Sequence, residues 1–494
     1  MNLKAAPHIN PKTLGYISLG IVLVGILLRV NVYLQNRSLR IDEANLARNI
    51  VKKSYGEFFQ SLDYAQYAPP LYSVTAKAAT AVIGVNEYAL RLPALLGGIL
   101  SLLLLLLLVN RLSDSYPARW YILLLFSFSM MALQYSTELK QYSTDAALTL
   151  LFVYLALQDR AAKVNLKFGL KWAILGSLGI WYSMPLIFVL ATIGLAFLIQ
   201  SWKKDKAVIP YLVGIGGFWL LNFGLYYYLI LRQDAGSDYL QNYHAQYFFN
   251  FFPTNSTAFW KDLGLVEGIF RSLSDQTAIS IIWTITSFGL GALCLIRKQR
   301  FIAFLLLMPI FLCLLASHLQ LYSLIERMTL FMIPLFMLVM GVGIHFLWQK
   351  TGYFKWLFLI PMLISIFNTK GYPYFTTHLE IEDSKGAMRY LAEHRKEKEW
   401  IFVQHDGLPA FFFYNNLYDK AWHFDNYYAA TWAEDPATKF AQQLAPGTNF
   451  WLFLSHTFPA ENIQKQLDFC SKIGTELQRF ESVGASLYQF QLKK

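Results

Sequence analysis

Charge is scarce in this sequence, and so are cysteine and acidic side chains. Only 15% of its 494 residues are Asp, Glu, Lys or Arg, against about 25% in soluble domains. Most of the chain is therefore expected to face an apolar solvent. Its three cysteines, Cys294, Cys313 and Cys470, have no spacing that suggests a metal site or a disulfide framework. Acidic residues number 31 against 42 basic, a net charge of +11. A nucleic-acid binder would gather that surplus on a soluble face. Here residues 370–494 hold 13 basic and 15 acidic residues, so the surplus lies wholly upstream, scattered between hydrophobic stretches. That is the pattern which fixes membrane orientation, and no nucleic-acid partner is expected.

What is abundant agrees. Hydrophobic residues make up 55% and aromatics 17% of the chain, with a mean hydropathy of +0.36. Crossing about 30 Å of hydrocarbon takes roughly 20 apolar residues. Apolar runs approaching that length occur at 14–34, 92–109, 118–137, 143–158, 169–182, 184–200, 208–231, 277–296, 301–317, 328–348 and 354–368. Basic residues then recur in alternate loops: Lys4 and Lys12; Arg111 and Arg119; Arg160, Lys163, Lys167 and Lys171; Lys203, Lys204 and Lys206; Arg297, Lys298 and Arg300; Lys350 and Lys355. This series places the N-terminus in the cytoplasm. A single span over 169–200, kinked near Pro185, would put the later clusters outside, so two spans fit better. The first apolar run reads as a signal anchor, with no cleavable signal before it.

The sequence thus predicts an α-helical polytopic protein of the plasma (inner) membrane, with about eleven spans in residues 1–369. Residues 370–494 are expected to form an extracytoplasmic soluble α/β domain. Its helical periodicity lies at Asp383–Glu397 and Ile463–Ile473, and its strands at Trp400–Gln404, Phe450–Leu454 and Leu487–Leu492. No glycine-rich phosphate loop accompanies them, and no catalysis is assigned there. Two other long segments, 35–91 and 232–276, fall on the outer side. The amphipathic stretches Ala44–Phe59 and Leu71–Ile83, and the aromatics between Tyr239 and Phe252, are expected to lie in the interface plane.

Three polar clusters interrupt this apolar pattern. Arg40-Ile41-Asp42-Glu43-Ala44 follows the first span; an acidic pair there also suits the positive end of a helix dipole. Glu138-Leu139-Lys140-Gln141-Tyr142-Ser143-Thr144-Asp145 closes the third span, with Glu138 and Tyr142 on one helical face and Gln141 and Asp145 on another. Asp145 heads an apolar run, and a carboxylate at that depth is a functional candidate by default. His318, Glu326 and Arg327 lie between the ninth and tenth spans, where ordinary interface charge explains them equally well. Arg91, at a span end, could simply snorkel to headgroups. The predicted topology brings all three clusters to one membrane face, which suggests a site at the outer leaflet boundary.

Asp-Glu-Ala after the first span, Pro69-Pro70-Leu71-Tyr72, and Gly84-x-x-Glu87-Tyr88-Ala89-x-Arg91-Leu92-Pro93 resemble bacterial GT-C glycosyltransferases. These are the relatives of protein O-mannosyltransferases and of the lipid A aminoarabinose transferase. Glu138-x-Lys140-x-Tyr142-x-x-Asp145 and Glu326-Arg327-Met328-Thr329-Leu330-Phe331 with Pro334 are similar as well. The resemblance implies a polyprenyl-phosphate-linked sugar donor, extracytoplasmic transfer, and Asp42 as the catalytic carboxylate. In the aminoarabinose branch a Lys precedes the double proline and contacts the donor phosphate; here that place is Ala68. Lys140, Arg91 and Arg327 are then the candidates for holding the phosphate.

A phosphate departs as an anion stabilised by cations, whereas the acceptor hydroxyl must lose a proton to a base. The expectation is an inverting transfer with Asp42 as base. Glu43 is grouped with it as catalytic, and Glu138, Tyr142 and Asp145 would place the acceptor or a divalent cation. The acceptor could be lipid, glycan or protein, among membrane lipids. A flippase for lipid-linked sugars and a non-catalytic assembly protein are the competing classes; no convincing internal repeat supports the first.

Overall fold

The computed structural model describes residues 11–274, 277–430, 436–457 and 460–493. Lys4, the first of the predicted cytoplasmic charges, lies outside them. Among the described residues seven helices are long and apolar enough to cross a membrane: Leu14–Leu34, Glu87–Leu112, Leu186–Lys204, Lys206–Leu231, Ala278–Lys298, Arg300–His318 and Ile333–Lys350. The remaining expected spans are shorter helices, Tyr116–Phe128, Tyr142–Gln158, Leu166–Tyr182 and Gly352–Phe367. The chain is a polytopic helical membrane protein.

The pair around Pro185 is two helices. Leu166–Tyr182 and Leu186–Lys204 fold back on each other, so that Phe168 and Trp172, early in the first, meet Phe197, late in the second, at ring-centroid distances of 5.4 Å each. The run 118–137 is not one helix: it breaks at Ser129, where Met130 N donates to Thr369 O at 3.2 Å. Carbonyls exposed near the break are taken by Arg29 of the first span. Its guanidinium donates to Phe126 O at 3.0 Å, Ser127 O at 3.1 Å and Gly25 O at 3.0 Å, and the residue is fully buried. Backbone acceptors are the kind of partner that makes a buried cation tolerable.

Ala278–Lys298 crosses Ile333–Lys350 at a point where both backbones touch. A Cβ on Gly291 would sit 1.9 Å from Val339 O, and one on Gly343 would sit 1.9 Å from Ser287 O. Only glycine permits that approach, the usual means by which membrane helices pack without a hydrophobic driving force.

The C-terminal part carries a five-stranded mixed sheet: β1 (Trp400–Val403), β2 (Tyr427–Ala429), β3 (Asn449–Ser455), β4 (Gly474–Ser482) and β5 (Ala485–Leu492), in the order β2-β1-β3-β5-β4. β1 runs parallel to β2 and β3, whereas β5 is antiparallel to β3 and β4. Helices Ser384–His394 and Leu408–Asn416 pack on one face, and Ala460–Ile473 covers the other.

Helices Ile41–Lys52 and Pro70–Ile83 form in the first long segment, with Pro70 in the first turn of the second. The first was expected to lie apolar face down on a bilayer, but that face is inside the protein. Ala44, Leu46, Ala47 and Ile50 are buried in one core with Met388, Phe411, Phe413 and Tyr414 of the C-terminal part. The amphipathic face has found protein, which buries it fully, instead of a lipid surface.

Candidate active site

Asp42 and Glu43 are adjacent in the first turn of Ile41–Lys52, and successive helical residues point to different sides. That difference decides their roles. Glu43 faces inward and is 1% exposed. Its carboxylate accepts from Arg91 Nε and Nη2, both at 2.8 Å, from Leu139 N at 2.7 Å and from Arg40 N at 3.1 Å. Burial by itself would raise its pKa, but Arg91, Arg37 and the Leu139 amide hold it below the ordinary carboxylate range. Arg91 is 3% exposed and donates its other N–H groups to Arg37 O at 2.7 Å and Ser38 O at 2.8 Å. Glu43, grouped with Asp42 as catalytic in the sequence, and Arg91, a candidate phosphate ligand there, meet each other here. The two form a bidentate buried pair that ties the first loop to the second span and to the 138–140 turn, and each Glu43 oxygen already accepts two hydrogen bonds.

Asp42 faces outward, its side chain 43% exposed. Arg327 Nη1 lies 3.7 Å from its Oδ2, and Gln66 Nε2 donates to its Oδ1 at 3.4 Å. Lys140 Nζ donates to Gln66 Oε1 at 2.8 Å, so Gln66 bridges the cation and the carboxylate. Lys140 is the foremost cause of a pKa for Asp42 below the usual value; burial opposes it and Arg327 adds to it. Burial in turn lowers the pKa of Lys140, and Asp42 counteracts this. Arg327 also reaches Tyr243 OH at 3.5 Å, which brings the 232–276 segment to the site.

Gln66 follows Tyr64 and Ala65, whose φ values of +64° and +50° lie in the left-handed region. Two consecutive non-glycine residues there cost about 1–3 kcal/mol each, and such strain clusters at functional sites. Sequence reading missed Gln66 because nothing in Tyr64-Ala65-Gln66 signals this backbone.

Glu138 is buried and accepts from Arg40 Nη1 at 3.2 Å and Gln134 Nε2 at 2.8 Å. Tyr142 is half-buried beside Arg327, edge-on to Tyr135 at 5.0 Å between centroids. Asp145 is buried next to Ser183, and its Oδ1 accepts no hydrogen bond. His318 packs against Phe251 and Phe252, while Glu326 is exposed; of that cluster it is Arg327 that pairs with Asp42. Among the described residues no three His, Cys, Asp or Glu side chains converge as a metal-ligand set.

An accessible carboxylate set between two cations, with a strained loop joining them, is suited to take a proton next to an anion. The sequence pattern of the dolichyl-phosphate-mannose-protein mannosyltransferase family matches residues 67–227. No curated protein matches the chain in sequence. The crystal structure of ArnT from Cupriavidus metallidurans in the apo state is similar over 97% of this chain and 98% of that one, at 12% identity and a TM-score of 0.54. The same protein bound to undecaprenyl phosphate gives the same values. AglB from Archaeoglobus fulgidus, an archaeal oligosaccharyltransferase in complex with an inhibitory peptide and a dolichol-phosphate, is similar over 96% of this chain and 74% of that one, at 12% identity and a TM-score of 0.52. In fold the chain is similar to ArnT and AglB, and its residues 67–227 carry the pattern of the dolichyl-phosphate-mannose-protein mannosyltransferase family.

Proposed function

We propose that this protein moves a sugar from a polyprenyl-phosphate donor to an acceptor hydroxyl, with inversion, on the extracytoplasmic side of the plasma membrane. The N-terminus would be cytoplasmic and residues 370–494 an extracytoplasmic domain. One observation carries the reading: Asp42 is an open carboxylate flanked by Lys140 and Arg327, while its neighbour Glu43 is buried and fully occupied.

In the reaction, the acceptor oxygen attacks the anomeric carbon and forms the new glycosidic bond. The bond from that carbon to the phosphate oxygen breaks, and the polyprenyl phosphate leaves as an anion held by Lys140 and Arg327. The acceptor's proton passes to Asp42. A retaining route would need a second carboxylate about 5–5.5 Å away as nucleophile. Glu43 is saturated by Arg91, the Leu139 amide and the Arg40 amide, and the Oε1 of Glu138 is taken by Arg40 and Gln134, which favours the single-base route. Tyr142 and Asp145 are assigned to placing the acceptor. The similarity to ArnT, which has been seen with undecaprenyl phosphate, supports a lipid-phosphate donor.

Purified protein in vesicles, supplied with undecaprenyl-phosphate-linked hexoses and pentoses, tests this. Glycosidic product and free undecaprenyl phosphate are expected. Sugar lipid carried unchanged between leaflets would instead identify a flippase.

A further inference from the structure

The segment 36–41, which joins the first span to the Asp42 helix, is gripped by side chains and backbone from residues 382–414. Lys385 Nζ donates to Asn36 O at 2.5 Å, and Lys385 N donates to Ser38 Oγ at 3.0 Å. Leu39 N donates to Tyr414 OH at 2.8 Å. Ile41 N, an unpaired donor at the start of the helix, is capped by Glu382 Oε2 at 3.0 Å. Capping normally comes from the residue just before a helix; here Arg40 makes no such side-chain contact and a distant carboxylate supplies it.

Glu382 is itself 1% exposed. Its Oε1 takes a hydrogen bond from His456 Nδ1 at 2.8 Å and faces Arg40 Nε at 3.9 Å. His456 directly follows β3 with φ +58°, a further left-handed non-glycine residue tied to the Asp42 helix. Arg40 then extends the chain of contacts to Glu138. The Glu382 link runs from the C-terminal part to the turn that carries the open carboxylate.

We propose that the C-terminal domain is part of the catalytic apparatus: Glu382, held by His456, positions Asp42 by capping the first turn of its helix. This rests on the reading of Asp42 as the base. Glu382 and His456 are positioning residues and touch no substrate. A change there misplaces the carboxylate, and a misplacement of about 1 Å can cost roughly 100-fold in rate. Binding of the donor phosphate, which falls to Lys140 and Arg327, should be spared.

The test uses the full chain in nanodiscs. Glu382→Ala should lower kcat about 10- to 100-fold, with affinity for undecaprenyl phosphate, used as the probe, unchanged within about twofold. Glu382→Gln keeps an oxygen for Ile41 N–H and should recover most of the loss. His456→Asn, which tolerates the left-handed backbone, should show a smaller fall of the same kind. If Glu382→Ala does not fold, His456→Asn decides. Wild-type kcat in Glu382→Ala, or in His456→Asn where Glu382→Ala does not fold, beside an inactive Asp42→Asn would overturn this inference alone. Full turnover by Asp42→Asn would overturn the assignment of the base and take this inference with it.

Discussion

Arg327 Nη1 stands 3.7 Å from Asp42 Oδ2, joining the turn before the tenth expected span to the helix after the first. Both side chains are partly open to solvent, and Lys140 adds its charge through Gln66. The cluster is thus ready for an anion before one arrives. A donor phosphate would compete with Asp42 for the same cations, and losing them makes the carboxylate a stronger base. Binding and activation would then be coupled through shared charge.

That coupling has a pH signature. Asp42 is held below its ordinary pKa in the free protein, and a base works only when deprotonated, so activity is lost as pH falls through that pKa. In the donor complex the phosphate neutralises the cations and raises it. The acid limb of kcat should therefore lie at higher pH than the acid limb of kcat/KM, measured on one reconstituted preparation. Coincident limbs would show that the phosphate does not displace the pair.

Removing either cation should weaken the donor complex. A charge-assisted hydrogen bond contributes about 1.5–3 kcal/mol, so Lys140→Met and Arg327→Met are each expected to raise KM for the donor about 10- to 100-fold. Lys140→Met should also move the acid limb of kcat/KM upward, since Lys140 is the foremost cause of the lowered pKa of Asp42. Steady-state kinetics over a pH series reads both.

Adjacent carboxylates should respond in opposite ways. Asp42→Asn is expected to cut kcat about 10²- to 10⁴-fold with thermal unfolding in detergent unchanged. Glu43→Gln and Arg91→Met break a buried pair, which costs about 3–5 kcal/mol, and should unfold at clearly lower temperature. The lowered pKa of Glu43 gives the sign with pH. Its stabilisation is present above the unfolded-state value of about 4.3 and fades as pH falls towards its folded value. Equal melting temperatures for Glu43→Gln and wild type would refute the structural role.

At the glycine crossing, Gly343→Val should prevent the close approach of Ala278–Lys298 and Ile333–Lys350, because its Cβ would meet Ser287 O, a backbone atom that cannot swing aside. Loss of monodisperse protein on size exclusion is the expected result. Gly214→Val, with open space around its Cβ position, serves as the control that should be tolerated.

The spans were legible because each needs only an unbroken apolar run, and two helices around Pro185 followed from the charges beyond them. Charge in an apolar setting marked the clusters that hold Asp42, Lys140 and Arg327, and the family resemblance singled these residues out. Which of Asp42 and Glu43 is open could not be read, since that depends on where Arg91 and the 138–140 turn arrive in space. Gln66 and Glu382 escaped for the same reason: their roles lie in contacts across long stretches of chain. β4 escaped because its half-buried positions Glu476, Gln478 and Ser482 are polar and leave no apolar alternation, and β2 because it is three residues long.

Arg29 sets an order on biogenesis. Its guanidinium is satisfied by carbonyls of Phe126 and Ser127, residues made long after the first span has emerged. Until they arrive, that span carries an unpartnered cation between its centre, where insertion of one costs about 2.5–3.5 kcal/mol, and its C-terminal end. The first helix is therefore expected to linger at the insertion machinery and to enter lipid for good only when the third one joins it.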